Sequence, residues 1–155
     1  HFSTARRRLQ AGFTLIELLV VFAIMALLVG LVPVAYEKMR ESAQYRDVLR
    51  TMLADIRFAR QHALATGSEV RFSVNLHERV YGIQGRAQRP VPPSLQLRAT
   101  VAGVEMSSEG MASIRFLPGG GATGGSIEVA RHTGAGTRLM VDWLSGQVSQ
   151  EPLLP

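Results

Sequence analysis

The chain has 155 residues, enough for one domain of ordinary size, and it contains no cysteine. Disulfide staples and cysteine-based metal or thiol chemistry are therefore excluded. The net charge is +5, but Arg6, Arg7 and Arg8 supply three of those charges, which leaves about two over the rest and no concentrated basic face of the kind a nucleic-acid binder needs.

Apolar residues crowd into the first third. From Phe13 to Val32 the sequence reads FTLIELLVVFAIMALLVGLV, twenty residues with a single charge, Glu17. As a helix this run would be roughly 30 Å long, the thickness of a bilayer's hydrocarbon core. The arginines lie just before it. Positive flanks stay in the cytoplasm, so the segment predicts a cytoplasmic N-terminus with everything after Pro33 on the far side. A secretory signal peptide has a shorter apolar run, about 7–15 residues, with a small-residue cleavage site after it. Here the run is longer, and Pro33-Val34-Ala35-Tyr36 is a poor site of that kind. A plain anchor leaves Glu17 unexplained, because a carboxylate deep in a membrane helix costs on the order of 2.5–3.5 kcal/mol.

Helical spacing continues beyond Pro33. Tyr45, Val48, Leu49, Met52, Ile56, Ala59, Ala63 and Leu64 recur at three- and four-residue intervals, an amphipathic stripe. The opposite face would carry Arg46, Arg50, Asp55, Arg57 and Gln61. Gly67 suits a C-terminal cap. The pattern predicts one helix from about residue 14 to 66, kinked near Gly30 or Pro33.

The remainder reads as short strands. Val70, Phe72, Val74 and Leu76 alternate with polar residues, and Val80 to Ile83 fits the hairpin return. Arg86 to Ser94 holds three prolines and is predicted as a loop. Leu95, Leu97 and Ala99 alternate again, followed by Ile114 to Leu117, Ser126 to Val129 and Leu139 to Trp143. Ser145-Gly146 turns the chain into Gln147-Val148. The fold class is α+β: a long N-terminal helix on an antiparallel β-rich head of two small sheets. Trp143, the single tryptophan, is expected in the core between sheet and helix.

Catalytic and metal constellations are absent from the pattern. Gly119 to Gly124 formally fits a dinucleotide-binding G-x-G-x-x-G, but a strand pattern follows where a helix is required. His1, His62, His77 and His132 show no metal-ligand spacing. No G-x-S-x-G elbow frames a serine. The expectation is a chain that is not an enzyme and takes no metal, cofactor or small-molecule substrate.

Gly12-Phe13-Thr14-Leu15-Ile16-Glu17 resembles the class III signal of type IV pilins and pseudopilins. The resemblance implies removal of a leader, residues 1–12, by a prepilin peptidase that cuts between Gly12 and Phe13 and methylates Phe13. Glu17 would then pair with the N-terminal amine of a neighbouring subunit, a role in filament register. Residues 112–149 are similar to the C-terminal signature of H-type minor pseudopilins. They hold IRFLPGGGATGGSIEVAR and RLMVDWLSGQVS. The implied organisation is a transmembrane and filament-core helix over 13–35, its amphipathic continuation over 36–67 and a β-rich head over 68–155. The implied role is that of a structural subunit of a type II secretion pseudopilus, in the inner membrane with its head in the periplasm. Its partners would be the peptidase, major and minor pseudopilins and secreted substrates. FimT-type minor pilins of type IV pili share this head, which leaves a second reading in DNA uptake.

Overall fold

The computed structural model describes residues 12–101 and 110–155. The leader, apart from Gly12, lies outside them. One helix, α1, runs from Leu15 to Thr66. Eight strands follow: β1 (Val70–Asn75), β2 (Val80–Ile83), β3 (Arg89–Pro90), β4 (Gln96–Val101), β5 (Met111–Phe116), β6 (Gly125–Ala130), β7 (Gly136–Val141) and β8 (Val148–Leu153). The chain divides into two compact units, one up to Met39 and one from Arg40 onward.

In the first unit α1 keeps its helical assignment through both Gly30 and Pro33, and every described side chain is exposed. Among the described residues, this half of the helix therefore finds no apolar cover within its own unit.

In the second unit, two four-stranded antiparallel sheets share a core with the amphipathic half of α1. Their orders are β3-β2-β1-β5 and β4-β6-β7-β8. Val48, Met52, Ile56, Ala59 and Ala63 are buried along the helix, as the stripe predicts, with Tyr45 and Leu49 partly covered. Phe72, Val74, Ile114 and Phe116 of the first sheet join the same cluster, as do Ile127, Val129 and Leu139 of the second. Ala59 and Ala63 are fully buried. Polar ties bind the helix to the strands and their loops. The Tyr45 hydroxyl lies 2.6 Å from the Thr137 hydroxyl, Arg60 Nε donates to the Ser145 carbonyl at 2.9 Å, and His132 Nδ1 lies 2.8 Å from Glu41 Oε1.

Register within the second sheet is marked by a row of charge. Glu128, Arg138 and Glu151 face one another across β6, β7 and β8. Arg138 donates to Glu128 at 3.0 and 2.7 Å, and Glu151 lies 3.7 Å away. Such partly exposed pairs add little stability, but a one-residue slip would put Arg138 opposite apolar Ile127 or Val129 and leave its charge without a partner. Gly67 closes α1 at φ 63°, a left-handed conformation that glycine adopts without strain.

The structure differs from the sequence reading at several points. Arg86 to Ser94 is not loop throughout, because Arg89 and Pro90 pair with Tyr81 and Val80 as β3. Proline is tolerated there because β3 is an edge strand, with no ladder partner beyond it. Asp55 does not belong to the solvent face. It is half-buried and lies 3.5 Å from Arg89. Burial raises its pKa above the usual carboxylate range, against the opposing charges of Arg89 and Arg86. Leu64, at the last turn of the stripe, is exposed. Trp143 is not in the core. Strand β7 ends at Val141, two residues earlier than its alternation suggests, so Trp143 falls in the β7–β8 turn and is 67% exposed.

Phe72 is fully buried, with its ring 6.4 Å from that of Tyr81. Phe72→Ala is expected to destabilise the head by about 3–5 kcal/mol, as large-to-small changes in a closed core do. Denaturant unfolding followed by circular dichroism measures it.

Candidate functional site

The residues singled out by the N-terminal motif lie together where α1 begins. Residues 12–14 carry no secondary structure, and the helix starts at Leu15. The bond between Gly12 and Phe13 is thus in non-helical chain, exposed on both sides, with Phe13 84% exposed. No neighbour would meet a side chain added at Gly12. Among the described residues, then, packing does not require glycine at this position.

Thr14 is the helix N-cap. Its Oγ1 accepts the Glu17 backbone N–H at 3.2 Å, and its carbonyl accepts the Leu18 N–H at 3.1 Å. Thr14-Leu15-Ile16-Glu17 therefore has the T-x-x-E form of a capping box, with Glu17 at the third helical position. The sequence reading singled out Glu17 and passed over Thr14, although the four-residue spacing was visible. Glu17 also sits in the first turn, where the positive end of the helix dipole favours a carboxylate. The helix dipole thus favours an acidic residue here, independently of any partner chain.

After this cap comes an uninterrupted apolar surface. Leu15, Ile16, Leu19, Phe22, Leu27, Val29 and Leu31 are each more than half exposed. By length and composition this part of α1 can cross a membrane.

The arginines of the head are dispersed and mostly engaged. Arg138 is held by Glu128 and Glu151, Arg89 by Asp55, and Arg71 by Glu69. Arg86 lies 4.1 Å over the Phe58 ring and Arg131 lies 4.8 Å over that of Tyr45. Arg79 donates to the carbonyls of Pro92 and Leu95. The concentrated basic face that a DNA-binding head requires is not assembled among these residues.

Of the histidines, His62 stacks on Phe58 at 5.3 Å, and His132 meets Glu41. Among the described residues no group of three or more His, Asp or Glu could hold a metal ion. Gly119 to Gly124 forms the loop between β5 and β6, closed by a bridge between Phe116 and Ala122, with strand and not helix following.

Residues 7–33 match the model of the prokaryotic N-terminal methylation motif, and residues 49–146 match that of the type II transport protein GspH. The chain belongs to the GspH family. It is 31% identical over 147 residues to type II secretion system protein H of Xanthomonas campestris pv. campestris, covering 95% of this chain and 86% of that protein. Its fold is similar to that of the minor pseudopilin EpsH from the type 2 secretion system of Vibrio cholerae. The TM-score is 0.56 at 11% identity, covering 70% of this chain and 96% of the other. The type IV minor pilin FimU of Pseudomonas aeruginosa is similar too, with a TM-score of 0.54 at 13% identity, covering 72% and 91%. The GspH fold is thus common to both systems.

Thr14→Ala should remove the acceptor for the Glu17 amide at a cost of about 1 kcal/mol. Hydrogen exchange of that amide in detergent-solubilised chain is expected to quicken about fivefold. An unchanged rate would mean that the cap does not hold the first turn.

Proposed function

We propose that this chain is a minor pseudopilin, a structural subunit of the periplasmic pseudopilus of a type II secretion system that exports folded proteins across the outer membrane. The observation that carries the reading is a capped apolar half-helix, without cover of its own, opening a chain of the GspH family. The chain sits in the inner membrane as a single-pass protein, with the arginine-bearing leader in the cytoplasm and the head in the periplasm. Its role is mechanical, not catalytic. It is built into a filament through its helix and meets other major and minor pseudopilins there, and secreted substrates contact its head.

A prepilin peptidase cuts between Gly12 and Phe13 and methylates the new amine of Phe13. Cutting ahead of the helix leaves the anchor in the membrane, so the product stays there until assembly. Phe13's amine is cationic with or without the methyl group. Glu17 pairs with that amine on an adjoining subunit, and a charge pair replaces two lone charges in apolar surroundings. The bond from the Glu17 N–H to Thr14 gives residue 17 a fixed backbone place at the helix mouth.

The type IV pilus reading has similar support from fold alone, since EpsH and FimU align almost equally well. Membership of the GspH family and the likeness to type II secretion system protein H along most of the chain favour the secretion reading.

Two experiments test the reading. Gly12→Glu introduces a bulky charge where the chain itself has room, so it should fold normally yet accumulate at the precursor mass. Mature mass in that variant would overturn the cleavage site. Glu17→Gln keeps a residue that serves a capping box but removes the charge. It is expected to be trimmed normally and to lose most of its incorporation into filaments, read by shearing and immunoblotting. Incorporation equal to wild type would reduce Glu17 to a helix cap.

A further inference from the structure

Side chains of β1 alternate between the two faces of the first sheet. Phe72 and Val74 enter the core, so Ser73 and Asn75 lie on the outer face. On β5, Ile114 enters the core, and Ser113 pairs directly with Ser73. The outer face of a sheet is ordinarily wet, yet Ser73, Asn75 and Ser113 are 9%, 8% and 7% exposed. Among the described residues no other serine, threonine, asparagine, glutamine or charged residue is buried. All three line one hollow, of about 270 Å³.

Much of their hydrogen-bonding capacity is not met by the chain. Among the described residues neither serine hydroxyl has a partner. Asn75 Oδ1 accepts the N–H groups of His77 and Glu78 at 3.0 and 2.9 Å. Those bonds fix the amide and leave its Nδ2 donors without a described partner. Gln88, in the same wall, is held the opposite way. Its Nε2 donates to the carbonyls of Ile83 and Arg86, each at 3.3 Å, which leaves Oε1 as an acceptor. Gln88 lies over Gly82, the cross-strand neighbour of Ser73, where a Cβ would come within 3.1 Å of Nε2. A buried polar group without a partner is costly, and native chains keep few of them. Three such residues in one wall point to something that completes their bonds.

Charge argues against an ion. The charged residues of the wall are Arg71 and Glu78, one of each sign, and Arg71 lies 3.3 Å from Glu69. No net charge is left to hold a phosphate or a metal ion. Depth argues against a broad protein face, because groups nine-tenths covered are reached only by a slender ligand. A peptide strand cannot pair with β1, both of whose edges are taken, by β2 and β5. Volume sets the size. At about 30 Å³ for each water, the hollow has room for about nine waters, or a ligand of roughly a dozen non-hydrogen atoms. Such a ligand must both donate and accept, since the wall presents hydroxyls, amide donors and an amide acceptor. Each hydroxyl of a sugar ring does both. Val80 and Met111 add apolar contact for the ring's C–H face.

We propose that this hollow binds one neutral sugar unit through the hydroxyls of Ser73 and Ser113 and the amides of Asn75 and Gln88. The site goes beyond the pseudopilin reading and does not depend on it.

The test uses the isotope-labelled full chain in a zwitterionic detergent that carries no sugar headgroup. Glucose and N-acetylglucosamine are titrated while backbone amides are followed by NMR. Saturable shifts at Ser73, Asn75, Gln88 and Ser113 are expected with at least one of them, at a Kd near millimolar, as suits so small a ligand. The linear tetramer of N-acetylglucosamine distinguishes the sources. Tighter binding than the single sugar marks a glycan chain, and equal binding marks a free sugar. No saturable shift with either sugar, shifts scattered over the head, or tighter saturation by inorganic phosphate or a blocked triserine peptide would overturn the proposal.

Ser73→Ala and Ser113→Ala should each weaken binding about tenfold. Since neither hydroxyl is bonded within the chain, the unfolding midpoint should stay or rise in both. A lowered midpoint would show that the hydroxyl serves the fold, and the proposal would fall. Gly12, Phe13 and Glu17 take no part in this site, so its failure leaves the pseudopilin reading standing, and a retained leader leaves the sugar site standing.

Discussion

A long run of uncovered apolar side chains on the first half of α1 governs what this molecule can do. At about 25 cal/mol per Å² of apolar surface, twenty such residues represent a solvation cost of tens of kcal/mol in water. Among the described residues, nothing in the first unit offsets it. The chain is therefore incomplete without an apolar surrounding, either lipid or the packed helices of other subunits. The same helix suits either surrounding, since both are apolar.

The second half of the same helix meets the opposite condition. There Val48, Met52, Ile56, Ala59 and Ala63 are covered by strands of both sheets. One α-helix thus carries two solvation regimes in sequence. A regular helix can do this because its backbone hydrogen bonds are satisfied internally, whatever surrounds the side chains. Strands could not, since an open sheet edge in lipid leaves N–H and C=O groups without partners.

At the helix mouth the polar groups are equally constrained. Thr14 takes the Glu17 amide, and Glu17 stands at the favourable end of the helix dipole. The same carboxylate that local physics favours as a cap is the one through which a neighbouring chain could be recognised. In the second unit the β7–β8 turn concentrates hydrogen bonds in its backbone and leaves Trp143 and Leu144 outside. Asp142 there is held below the usual carboxylate range by the Leu144 amide and the Ser145 hydroxyl. The carboxylate's contribution to the turn is therefore complete above the ordinary carboxylate pKa. It fades as pH falls through the lowered folded value. At neutral pH the turn is at its firmest.

The sequence by itself determined the anchor, the long helix, its buried stripe and the GspH-type head. Those features depend on local periodicity and on a short motif, both of which are carried by neighbouring residues along the chain. Even Thr14's cap is written in a four-residue spacing, T-x-x-E. Tertiary structure alone decided the rest. The pairing of His132 with Glu41 and of Arg89 with Asp55 joins residues far apart in sequence. The burial of Asp55 follows from where β3 lies, and a two-residue edge strand containing proline has no periodicity to read. Trp143 is the clearest case. Its alternation with Leu139 and Val141 continues the strand pattern, but the Asp142 side chain caps a turn there and ends β7 early. Whether an alternating residue is inside or outside depends on where the partner strand stops, and only the folded sheet fixes that point.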